Sequence, residues 1–227
     1  MMPIQHPSPN FEPRRSEVID MLVLHYTGMR SGEEALARLC DADAKVSAHY
    51  LVEEDGRVFA LVPDGMRAWH AGASSWRGET DVNSRSIGVE IVNPGHEFGY
   101  RPFPDAQIRA VIALCVHLLA RHPIPPRNVV GHSDVAPTRK TDPGELFPWE
   151  RLKANGIGLW PFDVGADDTA ELAADKVTRM LSCYGYDTST PQAAIAAFQR
   201  HFRPERVDGV ADPQTAGRLA RLLGGLA

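Results

Sequence analysis

The sequence predicts an α/β domain, with a mixed central β-sheet flanked by helices, followed by a small all-α three-helix module. Three observations predict it. Across residues 18–160, short apolar runs alternate with stretches of helical period. Two of those runs flank Glu54-Asp55-Gly56, a hairpin cue. Beyond the Gly/Pro-rich stretch at 156–161 the pattern is helical only.

The elements follow in order. Residues 1–17 open polar and proline-rich and read as an N-terminal tail. Residues 21–25 are a short apolar strand ending on His25. Ser31 and Glu34 form a capping box that opens a helix over 33–40. Strands at 48–53 and 57–62 flank the hairpin turn. Residues 86–92 alternate, with Ile87, Val89 and Ile91 on one face. From 105 to 122, Ile108, Val111, Ile112, Cys115, Leu118 and Leu119 keep the spacing of an amphipathic helix covering one face of a sheet. A brief strand at 128–131 leads into His132, and a short helix is expected at 149–154. In the module, one helix spans 168–184. Thr190-Pro191 and Asp212-Pro213 each place a cap residue before a proline at the first helical position and open two more.

Bulk properties exclude several classes. A chain of 227 residues with 43% hydrophobic and 23% charged residues suits one domain of about 150 residues plus a smaller one. A net charge of −5 without basic runs argues against nucleic acid. No apolar run reaches the roughly 18 residues of a membrane helix. Residues 1–10 lack the basic start and apolar stretch of a secretory signal. Cys40, Cys115 and Cys183 show no CxxC spacing and read as small core residues.

Gly131-His132-Ser133-Asp134 and Arg139-Lys140-Thr141-Asp142-Pro143-Gly144 carry the strongest chemistry. His132, Asp142 and the distant His25 are two imidazoles and a carboxylate, a set that can hold zinc and leave a fourth position for water. Pro143 biases Asp142 toward extended geometry, and Gly131 leaves room for close backbone approach. The bland reading is an N-capping aspartate and a surface histidine. His25 shares a strand face with Met21 and Val23, so its imidazole needs a partner, a metal or a structural hydrogen bond.

Glu90 points away from the apolar face of its strand, either as a proton-transfer group or as a solvated edge-strand carboxylate. Lys140, two residues before Asp142, would share its face on an extended segment. It is either an oxyanion stabiliser or a solvated lysine. Arg139 points elsewhere, toward solvent or a substrate carboxylate. Trp69 and Trp76 suit either a sugar or peptide groove or the core. Tyr26 and His70 join Trp69 and Arg139 as candidate substrate contacts. The other histidines read as structural: His6 in the tail, His49 hydrogen-bonded in a strand, His96 in a loop, His117 and His122 at the long helix, and His201 in the module.

Taken together, these residues resemble the zinc-dependent N-acetylmuramoyl-L-alanine amidases of the type-2 class, in the superfamily of peptidoglycan recognition proteins and phage-type amidase lysozymes. The resemblance runs through Leu24-His25-Tyr26-Thr27, Ser47-Ala48-His49-Tyr50-Leu51-Val52, Ala68-Trp69-His70-Ala71-Gly72, Ser86-Ile87-Gly88-Val89-Glu90 and the two loop motifs, across about 18 to 160. It implies one Zn²⁺ on His25, His132 and Asp142, with Glu90 as general base and Lys140 as oxyanion stabiliser. Animal recognition proteins use a thiolate as third ligand. The carboxylate here points to a bacterial enzyme. Ala197-Phe198-Gln199-Arg200 with Val207-Asp208-Gly209 and the residues to Thr215 resembles the three-helix peptidoglycan-binding domain. The implied layout is a tail at 1–17, a zinc amidase domain at 18–160 and a peptidoglycan-binding-like domain at 161–227.

The implied activity is hydrolysis of the amide between the lactyl group of N-acetylmuramic acid, or its anhydro form, and L-alanine. Peptidoglycan and soluble muropeptides are the implied partners. A non-catalytic peptidoglycan-binding protein and a zinc peptidase acting within the stem peptide are the alternatives. The expected state is a monomer. The expected compartment is the cytoplasm if Met1 is the native start, and the periplasm or envelope if a leader was removed.

Overall fold

A computed structural model describes residues 2–162 and 168–226. Met1, on which the compartment expectation turns, lies outside them. Eight strands are present among the described residues: β1 (Ile4–Gln5), β2 (Phe11–Pro13), β3 (Met21–Tyr26), β4 (Tyr50–Val52), β5 (Val58–Ala60), β6 (Met66–Ala68), β7 (Ser86–Ile91) and β8 (Val129–Gly131). Six of them form one sheet in the order β1-β5-β4-β7-β3-β8, while β2 and β6 pair separately. β3 runs parallel to both β7 and β8, and β4 is parallel to β7. The Asp-Gly hairpin makes β4 and β5 antiparallel, so the sheet is mixed.

β3 shows why this segment reads as an unbroken apolar run. Strands of a parallel sheet are covered on both faces. Leu22 and Leu24 face a core with Ile87, Val89 and Ile91 and the helix α4 (Asp105–Arg121), which contributes Ile108, Val111, Cys115 and Leu118. Met21 and Val23 face the other way. The helix α1 (Gly32–Cys40) covers Leu51 and Phe59. Its cap Ser31 accepts from the Glu34 amide, but the Glu34 carboxylate closes on the Arg30 amide and not on Ser31. Short helices α2 (Val82–Arg85), α3 (Gly95–Phe98), α5 (His132–Val135) and α6 (Trp149–Lys153) follow. Of these, only α6 carried a sequence signal.

The module consists of α7 (Ala174–Tyr184), α8 (Pro191–Phe202) and α9 (Pro213–Gly224). Its core of Val177, Leu181, Phe198, Phe202, Leu219 and Leu222 is continuous with Met21, Val23 and Val130 of the sheet and with Trp76 of a neighbouring loop. A module of about 60 residues buries too little surface to be robust alone, and sharing a core with the sheet supplies the remainder.

Several expectations need correcting. The helix expected from 168 starts at Ala174. Asp168 instead pairs with Arg221, and the Ala170 amide donates to the Pro213 carbonyl. The N-terminal segment is no tail. β1 joins the sheet edge, β2 pairs with β6, and the Arg14 guanidinium donates to the carbonyls of Asp64, Asn83, Ser84 and Ser86. Strands of two and three residues interrupted by proline carry no period, so sequence pattern cannot reveal them. Of the cysteines, only Cys115 is a core residue. Cys40 is half-buried and Cys183 exposed.

Candidate active site and metal centre

The site lies at the carboxyl ends of the parallel strands β3, β7 and β8, where open α/β sheets usually bind ligands. His25 is the fifth residue of β3 and sits in register with Glu90 on β7. In paired parallel strands this puts both side chains on one face. β8 ends at Gly131, beside Leu24, so the next residue, His132, starts close to His25. The chain then turns back: the Ser133 amide donates to the Asp142 carbonyl at 2.9 Å. A Cβ at Gly131 would lie 2.7 Å from Cδ of Pro143, so only glycine permits this approach.

His25 Nδ1 and His132 Nδ1 are 2.9 Å apart, and each is 3.1 Å from Asp142 Oδ2. All three residues are buried. Ligands at 2.0–2.1 Å from a tetrahedral zinc are separated by about 3.3 Å, so this triangle is slightly tighter than one face of such a tetrahedron.

The protons of the site can be assigned from its neighbours. His132 Nε2 faces the Ala71 carbonyl at 3.0 Å, which only accepts, so the ring proton is there and Nδ1 carries a lone pair. Ser86 Oγ donates to the Val82 carbonyl at 2.7 Å and therefore accepts from His70 Nε2 at 3.1 Å. His70 Nδ1 is then bare and accepts from His25 Nε2 at 3.0 Å. That leaves His25 Nδ1 with a lone pair as well. Two imidazole lone pairs and a carboxylate oxygen thus converge on one point. Three acceptors facing one another call for a cation between them, and imidazoles oriented through their other nitrogen are the usual mark of a metal site. His25, His132 and Asp142 fit a divalent metal on this test.

Burial lowers the His25 imidazole to about 4, with His132 adding to the effect. Burial also pushes the Asp142 carboxyl upward, but the two imidazoles in their protonated forms outweigh it and hold the group well below the usual carboxylate range; a positive charge between the three groups, proton or metal, stabilises the carboxylate. Glu90 moves the other way. Burial raises it well above its ordinary value, Asp142 raises it further, and Lys140 partly offsets both. Part of the Glu90 side chain reaches the cavity, yet Oε2 is shielded and hydrogen-bonded to no protein group. Because β7 lies between β4 and β3, the edge-strand reading of Glu90 is excluded.

A cavity of about 400 Å³ opens over these groups, bordered by Tyr26, Trp69, Glu90, Arg139, Lys140 and Thr141. Tyr26 Oη is 2.9 Å from Thr141 Oγ1 and 3.0 Å from His96 Nδ1, which fixes the ring at the rim. Arg139 is not free: its guanidinium donates to the carbonyls of Ala71 and Ala73 at 2.9 and 2.5 Å. His70 borders the cavity, but its imidazole is engaged by His25 and Ser86. Trp76 is a core anchor, 2% exposed and packed on Tyr184 and Tyr186. The roles of Ser86, His96 and Thr141 escaped sequence reading. Only the spacing of His70 and Ser86 within otherwise matching motifs could have suggested a link.

A family model described as N-acetylmuramoyl-L-alanine amidase matches residues 14–145. The chain belongs to this amidase family. A second model, for a peptidoglycan binding domain, matches residues 175–219 of the same amidase. AmiD, an N-acetylmuramoyl-L-alanine amidase of Escherichia coli, is 40% identical over 230 residues, which span 90% of this chain and 82% of AmiD. The 1,6-anhydro-N-acetylmuramyl-L-alanine amidase AmpD of Enterobacter cloacae is 37% identical over 166 residues, 65% of this chain and 87% of AmpD. Among solved structures, E. coli AmiD in complex with anhydro-N-acetylmuramic acid-L-Ala-D-gamma-Glu-L-Lys superposes with a TM-score of 0.83 at 38% identity, covering 93% of each chain. AMPDH3 of Pseudomonas aeruginosa in complex with anhydromuramic pentapeptide gives a TM-score of 0.83 at 35% identity, also over 93% of each chain. The α/β fold with its helical module, and the enzyme class of the amidase, follow from these matches. Among the described residues no helix is long and apolar enough to cross a membrane.

Proposed function

We propose that this amidase holds one Zn²⁺ on His25, His132 and Asp142 and hydrolyses the amide joining the lactyl group of N-acetylmuramic acid, or its anhydro form, to L-alanine. The observation that carries the proposal is the convergence of two imidazole lone pairs and a carboxylate oxygen beside a raised glutamate. Bound there, zinc would make water more acidic and polarise the scissile carbonyl.

The chain's own groups supply the rest. Glu90 accepts a proton from the attacking water and returns it to the leaving amine of L-alanine. A carboxyl whose hold on a proton is strengthened by burial suits that exchange. Lys140 partly offsets the rise that burial and Asp142 impose, which keeps Glu90 able to ionise. The ammonium of Lys140, at the cavity border, donates to the oxyanion that develops on the lactyl oxygen. Trp69 and Tyr26 form the rim against which sugar and peptide lie, and Arg139 shapes that rim by holding the 71–73 turn. Relatives solved with anhydromuramic peptides support a substrate of this class.

The test is incubation of the zinc-loaded protein and of Glu90→Gln with anhydro-muropeptide, with the products identified by mass. The expected products are the free sugar lactyl acid and a peptide beginning at alanine. Glu90→Gln should be slower by about 10²–10⁴-fold with unchanged zinc content. Sugar retained on alanine would identify a stem peptidase, and no product at all from the wild type would identify a binding protein.

A further inference from the structure

The carboxylate of Asp134 has no part in the chemistry above, yet it is fully buried two residues after His132. Its Oδ2 accepts from the Gly131 amide at 2.7 Å, so Asp134 closes the turn of backbone that begins at the end of β8 and carries His132. Its other two hydrogen bonds come from the helical module. His201 Nδ1 of α8 donates to Oδ2 at 2.7 Å, and Tyr186 Oη donates to Oδ1 at 2.7 Å. Both donors are held stiffly. The His201 ring stacks on Trp149 of α6 with centroids 3.7 Å apart, and on Phe202 at 3.8 Å. The Tyr186 ring packs edge-on against Trp76 at 5.3 Å and Phe198 at 6.2 Å.

We propose that His201 and Tyr186 are positioning residues which, through Asp134, hold the His132 backbone in its ligating place. This rests on the reading of His132 as a metal ligand. A buried carboxylate that loses a donor must find another or move toward water. Here the group that moves would take the Gly131–His132 turn with it. The module is then part of the scaffold of the metal centre, in addition to any contact it makes with peptidoglycan.

The test uses the full chain as wild type, Tyr186→Phe, His201→Leu and His201→Asn. Asparagine keeps a donor near the place of Nδ1, while leucine fills the space without one. Two readouts are needed: the zinc dissociation constant by chelator competition, and amide hydrogen exchange over residues 131–134 in the metal-free proteins, at a temperature where all are folded. Tyr186→Phe and His201→Leu should weaken zinc by about 10–100-fold, as expected when support behind a ligand is lost, and speed exchange at 131–134, while His201→Asn stays near wild type. Zinc affinity and exchange unchanged in Tyr186→Phe and His201→Leu overturn the proposal, as does equal weakening in His201→Asn and His201→Leu. If the wild type takes up no zinc, the metal reading fails, and exchange at 131–134 alone decides the positioning claim.

Discussion

In its proposed role as proton-transfer group, Glu90 sits under two opposed demands. Proton transfer needs a carboxyl that ionises only reluctantly, and the floor of a buried cavity beside Asp142 provides that environment. The same environment costs stability. A carboxyl raised in the folded state keeps a proton that the unfolded chain has released, so its contribution is lost as pH rises above about 4.5. Metal-free Glu90→Gln should therefore melt higher than metal-free wild type at pH 7–8, with the difference vanishing near pH 4, as thermal melts across that range would show. His70 makes a second residue-scale case. Its ring lies where a Cβ at Gly88 would stand and keeps the His25 lone pair turned toward the proposed metal position. His70→Ala should raise the zinc dissociation constant by about 10–100-fold in a chelator competition. In the sequence His25, His132, Asp142, Glu90 and Lys140 each keep a bland alternative, and what singles them out is the set of motifs shared with the type-2 amidases. The His70 role is not legible there, because the bond that defines it joins residues 45 positions apart. A single chain carries no sign of where an imidazole's second nitrogen goes.

At the scale of elements, parallel pairing brings the ends of β3 and β8 together, and Gly131 lets Asp142-Pro143 lie against them. Gly131→Ala should destabilise the fold by about 1–3 kcal/mol in denaturant titrations, as overpacking does. Burial of His25 and His49 also sets a pH limit. His25 titrates at about 4 and His49 at about 3 in the folded chain, against 6.5 when free. Between those values the unfolded chain binds protons that the folded chain excludes. Stability of the metal-free protein should thus fall as pH drops from about 6.5 toward 4, as urea midpoints would record. The long helix α4 and the strand β7 were legible because their apolar periods extend over enough residues to be distinctive, and β3 because its apolar run is unbroken. β1, β2 and β6 were not, because two or three residues define no period and their pairing depends on distant partners.

At the scale of the molecule, sheet and module share one apolar core, and the sequence boundary at 156–161 does not separate two independent hydrophobic interiors. A chain ending at 162 would expose Met21, Val23, Val130 and Trp76 on one face. It should aggregate or lose cooperativity in melts, whereas a module joined only by a linker could be removed without that effect. The helical pattern of the module was readable from its caps at Asp212-Pro213 and Thr190-Pro191. Its attachment was not, because His201, Tyr186 and Trp76 resemble ordinary core residues until their partners are seen.

The central claim is that His25, His132 and Asp142 hold the metal on which hydrolysis depends, and titration of zinc back into fully chelated protein tests it most directly. Release of peptide with a free alanine amino terminus should be absent at the start, rise in proportion to added zinc, and level off at one equivalent per chain. Undiminished release from the chelated protein would contradict it.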